Sequence, residues 1–109
     1  IGREVMSRCI SFGMHVLGYD PFVNKEMFKD GEIEIVDLDI LTEQSDFISI
    51  HVPLNSDTTN LFDYKRMKKM KQTARIINVS RGGIINEKDL SRALRDGVIS
   101  GAAIDVFTK

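Results

Sequence analysis

Short apolar runs alternate along this chain with charged stretches of helical period. "HVLGYD" (15–20) reads as a buried strand ending at Asp20, and "EIEIVDL" (32–38) alternates and holds a short strand. "DFISIHVP" (46–53) is a β-branched run closed by Pro53, which has no N–H to give to a ladder. "ARIINVS" (74–80) and "ISGAAIDVF" (99–107) complete the set. Near-continuous apolar runs of this kind suit parallel strands buried on both faces.

Helices fill the intervals. Residues 2–12 put Val5, Met6, Cys9, Ile10 and Phe12 on one broad face and Arg3, Glu4 and Arg8 away from it, with Gly13 as the stop. Asp37 or Asp39 can cap a short helix through Glu43, Asp63 can cap 64–70, and Asn86 can cap 87–95. In the last of these Asp89 lies in the first turn, Arg92 and Arg95 in the last, and Gly97 ends it, as the helix dipole favours. Strand–helix alternation with short connections predicts an α/β fold, a doubly wound parallel sheet. Right-handed crossovers then gather the carboxyl ends of the strands along one edge, where ligands bind. Asp20, Pro53, Ser80, Arg81 and Asp105 all fall at or near such ends.

Composition narrows the options. The chain has 109 residues, 42% hydrophobic and 28% charged, the size and make-up of one ordinary soluble domain. A net charge of -1 gives no general pull toward nucleic acid or an anionic membrane, and no apolar run approaches the ~20 residues of a membrane span. Cys9 alone cannot build an internal disulfide and fits a reducing, cytoplasmic setting. "YKRMKKMK" (64–71) has five basic residues in eight, but Met67 and Met70, with Phe62 and Tyr64 nearby, form an apolar stripe beneath them. A solvated helix face explains that segment better than a nucleic-acid patch.

Candidate chemistry sits in three places. In "INVSRGG" (77–83), Arg81 stands in a glycine-rich turn just past an apolar strand. Its planar fork of donors suits a carboxylate or keto oxygen, and Gly82 and Gly83 permit close approach and unusual backbone angles. Gly2 followed 18 residues later by Asp20 could be the end of a dinucleotide fingerprint and its ribose-binding acid, or a terminal glycine and a turn former before Pro21. An acid there favours NAD, because it would repel a 2′-phosphate. "HVPLNSDTTN" (51–60) carries polar side chains able to bond a ligand or their own backbone. His51, at the end of a buried strand, reads as structural.

The stretches "GREVMSRCISFGMHVLGYDP", "SDFISIHVPLNSDTTNLF", "ARIINVSRGGIINEKDLSRAL" and "GAAIDVF" together resemble the NAD-binding domain of the D-2-hydroxyacid dehydrogenases, over nearly the whole chain. The resemblance implies a Rossmann-type sheet, NAD as cofactor, a small 2-hydroxy or 2-oxo acid as substrate, and a homo-oligomer, dimer or tetramer. It implies that the backbone at Ile1 and Gly2 approaches the pyrophosphate and that Asp20 binds the ribose. Val52, Pro53 and Thr58 would lie along the cofactor, Val79 and Ser80 beside the nicotinamide ribose, and Asp105 at the carboxamide. Arg81 would be the catalytic arginine, bonded to the acid's carboxylate and carbonyl. The family's histidine and glutamate fall beyond Lys109, and neither His15 nor His51 stands in for that histidine. A non-catalytic NAD-binding regulator on the same scaffold is the rival reading. A flavodoxin-like domain shares the alternation but does not account for Asp20, the "SRGG" turn and Asp105 together.

The resemblance also implies that the family's first strand and first two glycines precede Ile1. In the Rossmann order that strand lies between those of Asp20 and His51, so its absence would open a gap of ~9.5 Å in the sheet. Edge groups left without partners would lose ~1–3 kcal/mol each, against a total stability of ~5–15 kcal/mol. The 109 residues are therefore expected to be a segment of a longer chain, or to recruit a strand from another molecule, and to be inactive alone. Thermal melting of the isolated peptide by circular dichroism checks this: a cooperative, concentration-independent transition would contradict it.

Overall fold

The computed structural model describes residues 1–21 and 33–108. They fall into two compact units, Ile1–Leu41 and Thr42–Lys109.

In the first unit, α1 (Gly2–Ser11) keeps Val5, Met6, Cys9 and Ile10 half-buried and Arg3, Glu4 and Arg8 in solvent. Arg8 reaches back to Glu4 (Nη1–Oε2 2.6 Å), an exposed i,i+4 pair that contributes only a few tenths of a kcal/mol, ~0.3–0.5. Phe12 departs from the expected face and is 85% exposed. The reason is local: helical geometry ends at Ser11, and Gly13 turns the chain with φ +80°. The N–H of Gly13 then reaches the Ile10 carbonyl (2.9 Å) and that of Met14 the Cys9 carbonyl (3.1 Å), the paired bonds of a Schellman stop.

Strands β1 (Leu17–Gly18) and β2 (Glu34–Ile35) pair in parallel, Leu17 opposite Glu34 and Gly18 opposite Ile35. Of the expected strand over 15–20, Leu17 and Gly18 find ladder partners among the described residues. Glu32, the first residue of the second expected strand, lies outside the described residues. Gly18 sits close under the Ile33 side chain: a Cβ there would stand 2.8 Å from Ile33 Cδ1, a methyl that can swing aside. Helix α2 (Leu38–Gln44) follows, and Asp37 caps it through the Ile40 N–H (2.9 Å).

The second unit holds β3 (Phe47–Ile50), α3 (Tyr64–Met67), β4 (Arg75–Asn78), α4 (Glu87–Arg95) and β5 (Gly101–Ile104). Its strands are all parallel, in the order β3-β4-β5. Ile48, Ile76 and Ala102 share one rung, and Ile50, Asn78 and Ile104 another. All the buried apolar side chains among the described residues belong to this unit, from Ile48 to Ile99. Ile84 and Ile85, just after the glycine turn, are among them at 0% and 3% exposure, so they are core.

Burial on β3 and β4 alternates, where the apolar runs suggested burial on both faces. Ile48, Ile50, Ile76 and Asn78 point inward, while Phe47, Ser49 and Arg75 point out. Among the described residues of this unit, the outward row is shielded partly by its own side chains. The Arg75 guanidinium lies 6.0 Å from the Phe47 ring, and its stem runs 3.5 Å from where a Cβ on Gly101 would be.

Helix α3 is shorter than the expected 64–70. After Met67 the chain tightens into three-residue turns, with the N–H of Met70 on the Met67 carbonyl (3.0 Å). Phe62, Met67 and Met70 are buried, and Lys65, Lys68 and Lys69 are exposed, which is the solvated basic face. Arg92 stacks on the Tyr64 ring at 3.8 Å, and the Tyr64 hydroxyl donates to Asp96 (3.1 Å). No described helix is long and apolar enough to cross a membrane.

Helix α4 follows its expected bounds. Asn86 is in extended geometry and its Oδ1 accepts the Asp89 N–H at 3.0 Å, while Gly97 (φ +71°) closes a second Schellman stop. Asn86→Ala removes that acceptor and is expected to destabilise the protein by about 1 kcal/mol, with Asn86→Asp retaining most of it. Urea denaturation reads this as a lower midpoint at unchanged slope.

Candidate active site

In a parallel sheet the chain leaves every strand at the same edge, and in the second unit those exits hold one another. After β3, Val52 is half-buried and Pro53 ends the ladder. After β4, Ser80 sends its hydroxyl to the Val52 carbonyl (3.3 Å). After β5, the Asp105 N–H bonds the Asn78 carbonyl (3.1 Å). Val52, Pro53, Val79, Ser80, Arg81 and Asp105 thus come together at one edge, as the strand pattern implied.

The loop after Pro53 is organised by its own side chains. Asn55 Oδ1 accepts from the N–H of Asp57 (2.9 Å) and of Thr58 (3.1 Å). The Thr58 hydroxyl donates to the Pro53 carbonyl (2.6 Å) and accepts from the Asn55 N–H (2.9 Å). Thr58 therefore shapes the loop, and what it can present to a ligand is its methyl group and one remaining lone pair. Further on, Asn60 (φ +54°) gives its N–H to Gly83 (2.7 Å) and Phe62 gives its own to Ile84 (3.1 Å), which ties this loop to the glycine turn.

Gly82 and Gly83 do different work. Gly83 has φ +92°, a backbone angle an L side chain resists. Gly82 meets a neighbour: a Cβ there would sit 2.0 Å from the Phe107 carbonyl oxygen and 2.3 Å from its carbon. Close approach was legible in the glycine, but the partner is the chain leaving β5. Thr108 then gives its N–H to Glu87 Oε2 (3.2 Å) at the start of α4.

Arg81 projects from this framework into solvent. Its Nη1 donates to the Ser80 carbonyl (2.9 Å), and no carboxylate pairs with it among the described residues. A guanidinium has five N–H donors, so most remain for a ligand, and a planar carboxylate can take two at once. Val79 is 51% exposed beside it and offers an apolar wall. Asn78, missed in the sequence pattern, is the buried residue beneath the turn at 2% exposure. The only hint was a carboxamide at the end of "RIIN".

His51 follows β3 and is bonded within its own segment. Its Nε2 lies 2.7 Å from Ser49 Oγ, and burial pushes its pKa below the usual imidazole value of 6.5. It is a half-buried strand-end residue bonded to its neighbour. His15 lies in the first unit, 3.2 Å from Glu34 and exposed.

In the first unit, Ile1 is the N-cap residue of α1 and is 92% exposed. Its side chain makes no capping bond, and the Ile1 carbonyl accepts the Val5 N–H (3.1 Å). Gly2 begins the helix, so the backbone near it carries the partial positive charge that favours a phosphate. Asp20 lies two residues past β1 and is exposed.

The family model of the D-isomer specific 2-hydroxyacid dehydrogenase NAD binding domain matches residues 1–109. This chain belongs to the D-isomer specific 2-hydroxyacid dehydrogenase family. It is 45% identical over 109 residues to a D-3-phosphoglycerate dehydrogenase of Synechocystis, covering 100% of this chain and 20% of that protein. It is 41% identical over 107 residues to a glyoxylate reductase of Korarchaeum cryptofilum, covering 98% of this chain and 32% of that protein. A solved relative, the D-isomer specific 2-hydroxyacid dehydrogenase of Lactobacillus delbrueckii ssp. bulgaricus in its NAD-complexed form, superposes with a TM-score of 0.92 at 33% identity. That match covers 99% of this chain and 32% of the other. The chain therefore spans about a fifth to a third of the length of these 2-hydroxyacid dehydrogenases. The doubly wound α/β fold expected from the strand pattern, of the Rossmann type that the resemblance implied, is the fold of these relatives. In the second unit, the strand edge of polar groups flanked by the half-exposed Val79 fits a cofactor such as NAD.

The clash at Gly82 has a measurable consequence. Gly82→Ala forces apart the β4 and β5 exits and is expected to destabilise the protein by about 1–3 kcal/mol, as overpacking does. An unchanged urea midpoint would show that the Phe107 backbone yields freely.

Proposed function

We propose that this chain is the cofactor-binding part of a longer, NAD-dependent dehydrogenase of D-2-hydroxy acids, and that its substrate is D-3-phosphoglycerate, the entry to phosphorylated serine synthesis. The observation that carries the reading is Arg81: a guanidinium with free donors, presented to solvent from a turn whose backbone is fixed to two neighbouring strand exits. The matches named D-3-phosphoglycerate dehydrogenase at 45% and 43% identity support the substrate. A glyoxylate/hydroxypyruvate or D-lactate type reductase is the second reading, favoured by the glyoxylate reductase match at 41% identity.

NAD, when bound, supplies the hydride acceptor at its nicotinamide. The chain's own residues bind and orient. The backbone at Ile1 and Gly2 takes the pyrophosphate, and Asp20 accepts from ribose hydroxyls. Val52, Pro53 and Thr58 line the cofactor's course. Val79 and Ser80 flank the nicotinamide ribose, and Asp105 holds the carboxamide. Arg81 grips the acid's carboxylate, holds C2 at the hydride position, and stabilises the negative charge that gathers on the C2 oxygen in the reducing direction. Oxidation of the alcohol releases a hydride from C2 and a proton from its hydroxyl. The proton goes to a base outside these residues, which the resemblance implies is a histidine.

NADH titration and steady-state kinetics of the full-length protein test this. Asp20→Ala is expected to weaken NADH binding about tenfold or more, from the loss of bonds to a charged acceptor. Arg81→Ala should leave NADH binding within about twofold and lower kcat/KM for the 2-oxo acid by roughly 10²–10³, the loss typical of one oxyanion donor. Turnover untouched by Arg81→Ala would remove its assigned role. A preference for glyoxylate or pyruvate over 3-phosphohydroxypyruvate would favour the second reading of substrate.

A further inference from the structure

Asn78 is an unusual residue for its position. It ends the middle strand of the three-stranded sheet, between Ile50 and Ile104 on the same rung, and is 2% exposed. Among the described residues only Thr42 and Asn78 are buried polar side chains. Asparagine is disfavoured in strands, and burying a carboxamide costs about 1–3 kcal/mol unless it is fully bonded. An apolar side chain here, on the rung of Ile50 and Ile104, would carry no such cost. A local choice that works against stability marks a place where something else is being satisfied.

The bonds show what that is. Asn78 Oδ1 accepts the Ser80 N–H at 3.0 Å, and Nδ2 donates to the Arg81 carbonyl at 2.9 Å. Both halves of the carboxamide therefore go to the backbone of the turn that carries Arg81, two and three residues on. The Asn78 main-chain carbonyl meanwhile takes the Asp105 N–H. The neighbouring restraints act on either side of Arg81, through the Ser80 hydroxyl on Val52 and through Gly82 against Phe107. The bond from Nδ2 is the side-chain bond to the Arg81 backbone itself.

We propose that Asn78 is the positioning residue of Arg81: its buried carboxamide sets where the arginine's Cα stands and so where the guanidinium fork meets a substrate carboxylate. The inference rests on the assignment of Arg81 to the substrate. It adds that the arginine's reach is set from beneath, by a group that never touches substrate. A shift of about 1 Å at a group of this kind costs roughly a hundredfold in rate.

Asn78→Asp is the closest test. It keeps the acceptor for the Ser80 N–H, removes the donor to the Arg81 carbonyl, and sets a carboxylate oxygen against that carbonyl. Asn78→Ser, smaller and uncharged, removes the same donor and serves if the aspartate disturbs folding. In the full-length protein, NADH binding is expected to stay within about threefold, while kcat/KM for the 2-oxo acid falls about ten- to a hundredfold. Oxalate, a simple carboxylate probe that competes with the acid, should lose affinity in parallel. The decisive measurement is the double variant. If Asn78 acts through Arg81, Asn78→Ser combined with Arg81→Ala is no slower than Arg81→Ala alone, because the two losses are not independent. Additive losses, or kcat/KM within twofold of wild type in Asn78→Ser with NADH binding intact, would overturn the proposal. An Arg81→Ala variant with normal turnover would instead overturn the reading beneath it, which keeps the two failures distinct.

Discussion

A parallel strand that ends leaves backbone groups with no ladder to join, and those groups need other partners. At the end of β4 that problem falls to Asn78. Its main-chain carbonyl goes to Asp105 and its carboxamide to Ser80 and Arg81, so the strand end is saturated. The turn that carries the candidate chemistry is built from the same bonds that solve this problem. Just beyond it, Ile84 and Ile85 return to the core at 0% and 3% exposure. Residues 79–83 are strung between two buried anchors, and this lets an exposed loop hold a defined shape.

The same economy shows at the other exits. The β3 exit is held by a hydroxyl from the β4 turn, and its loop by Asn55 and Thr58 acting on their own backbone. Side chains able to bind ligands are used here mainly to build the edge. What is left over for chemistry is correspondingly sparse: the Arg81 fork, the Val79 wall, and the exposed carboxylate end at Asp105. A site of this kind relies on position more than on the number of polar groups it presents.

Most of this was legible where the physics is local. Caps and stops depend on a few adjacent residues, so Asp37, Asp63 and Asn86 cap as their chemistry suggests, and Gly13 and Gly97 stop helices. The strands appear where the apolar runs lie, but their lengths depend on partners, and β1 holds Leu17 and Gly18. Phe12 fits the apolar spacing on paper yet lies past the last helical residue, where the spacing no longer applies. Arg81 stood out because a glycine turn framed it. Asn78 did not, because a carboxamide's worth depends on burial and on partners that only the folded turn supplies. Gly82 was legible as permissive, but the backbone that needs the room comes from Phe107, 25 residues on.

That contact gears two segments together. With no space for even a methyl group between Gly82 and the Phe107 carbonyl, neither segment can be re-routed while the other keeps its path. Anyone grafting a different substrate loop onto this scaffold would therefore have to transplant residues 78–83 and 105–108 as a matched pair. The same constraint makes drift at one of them visible as compensating change at the other.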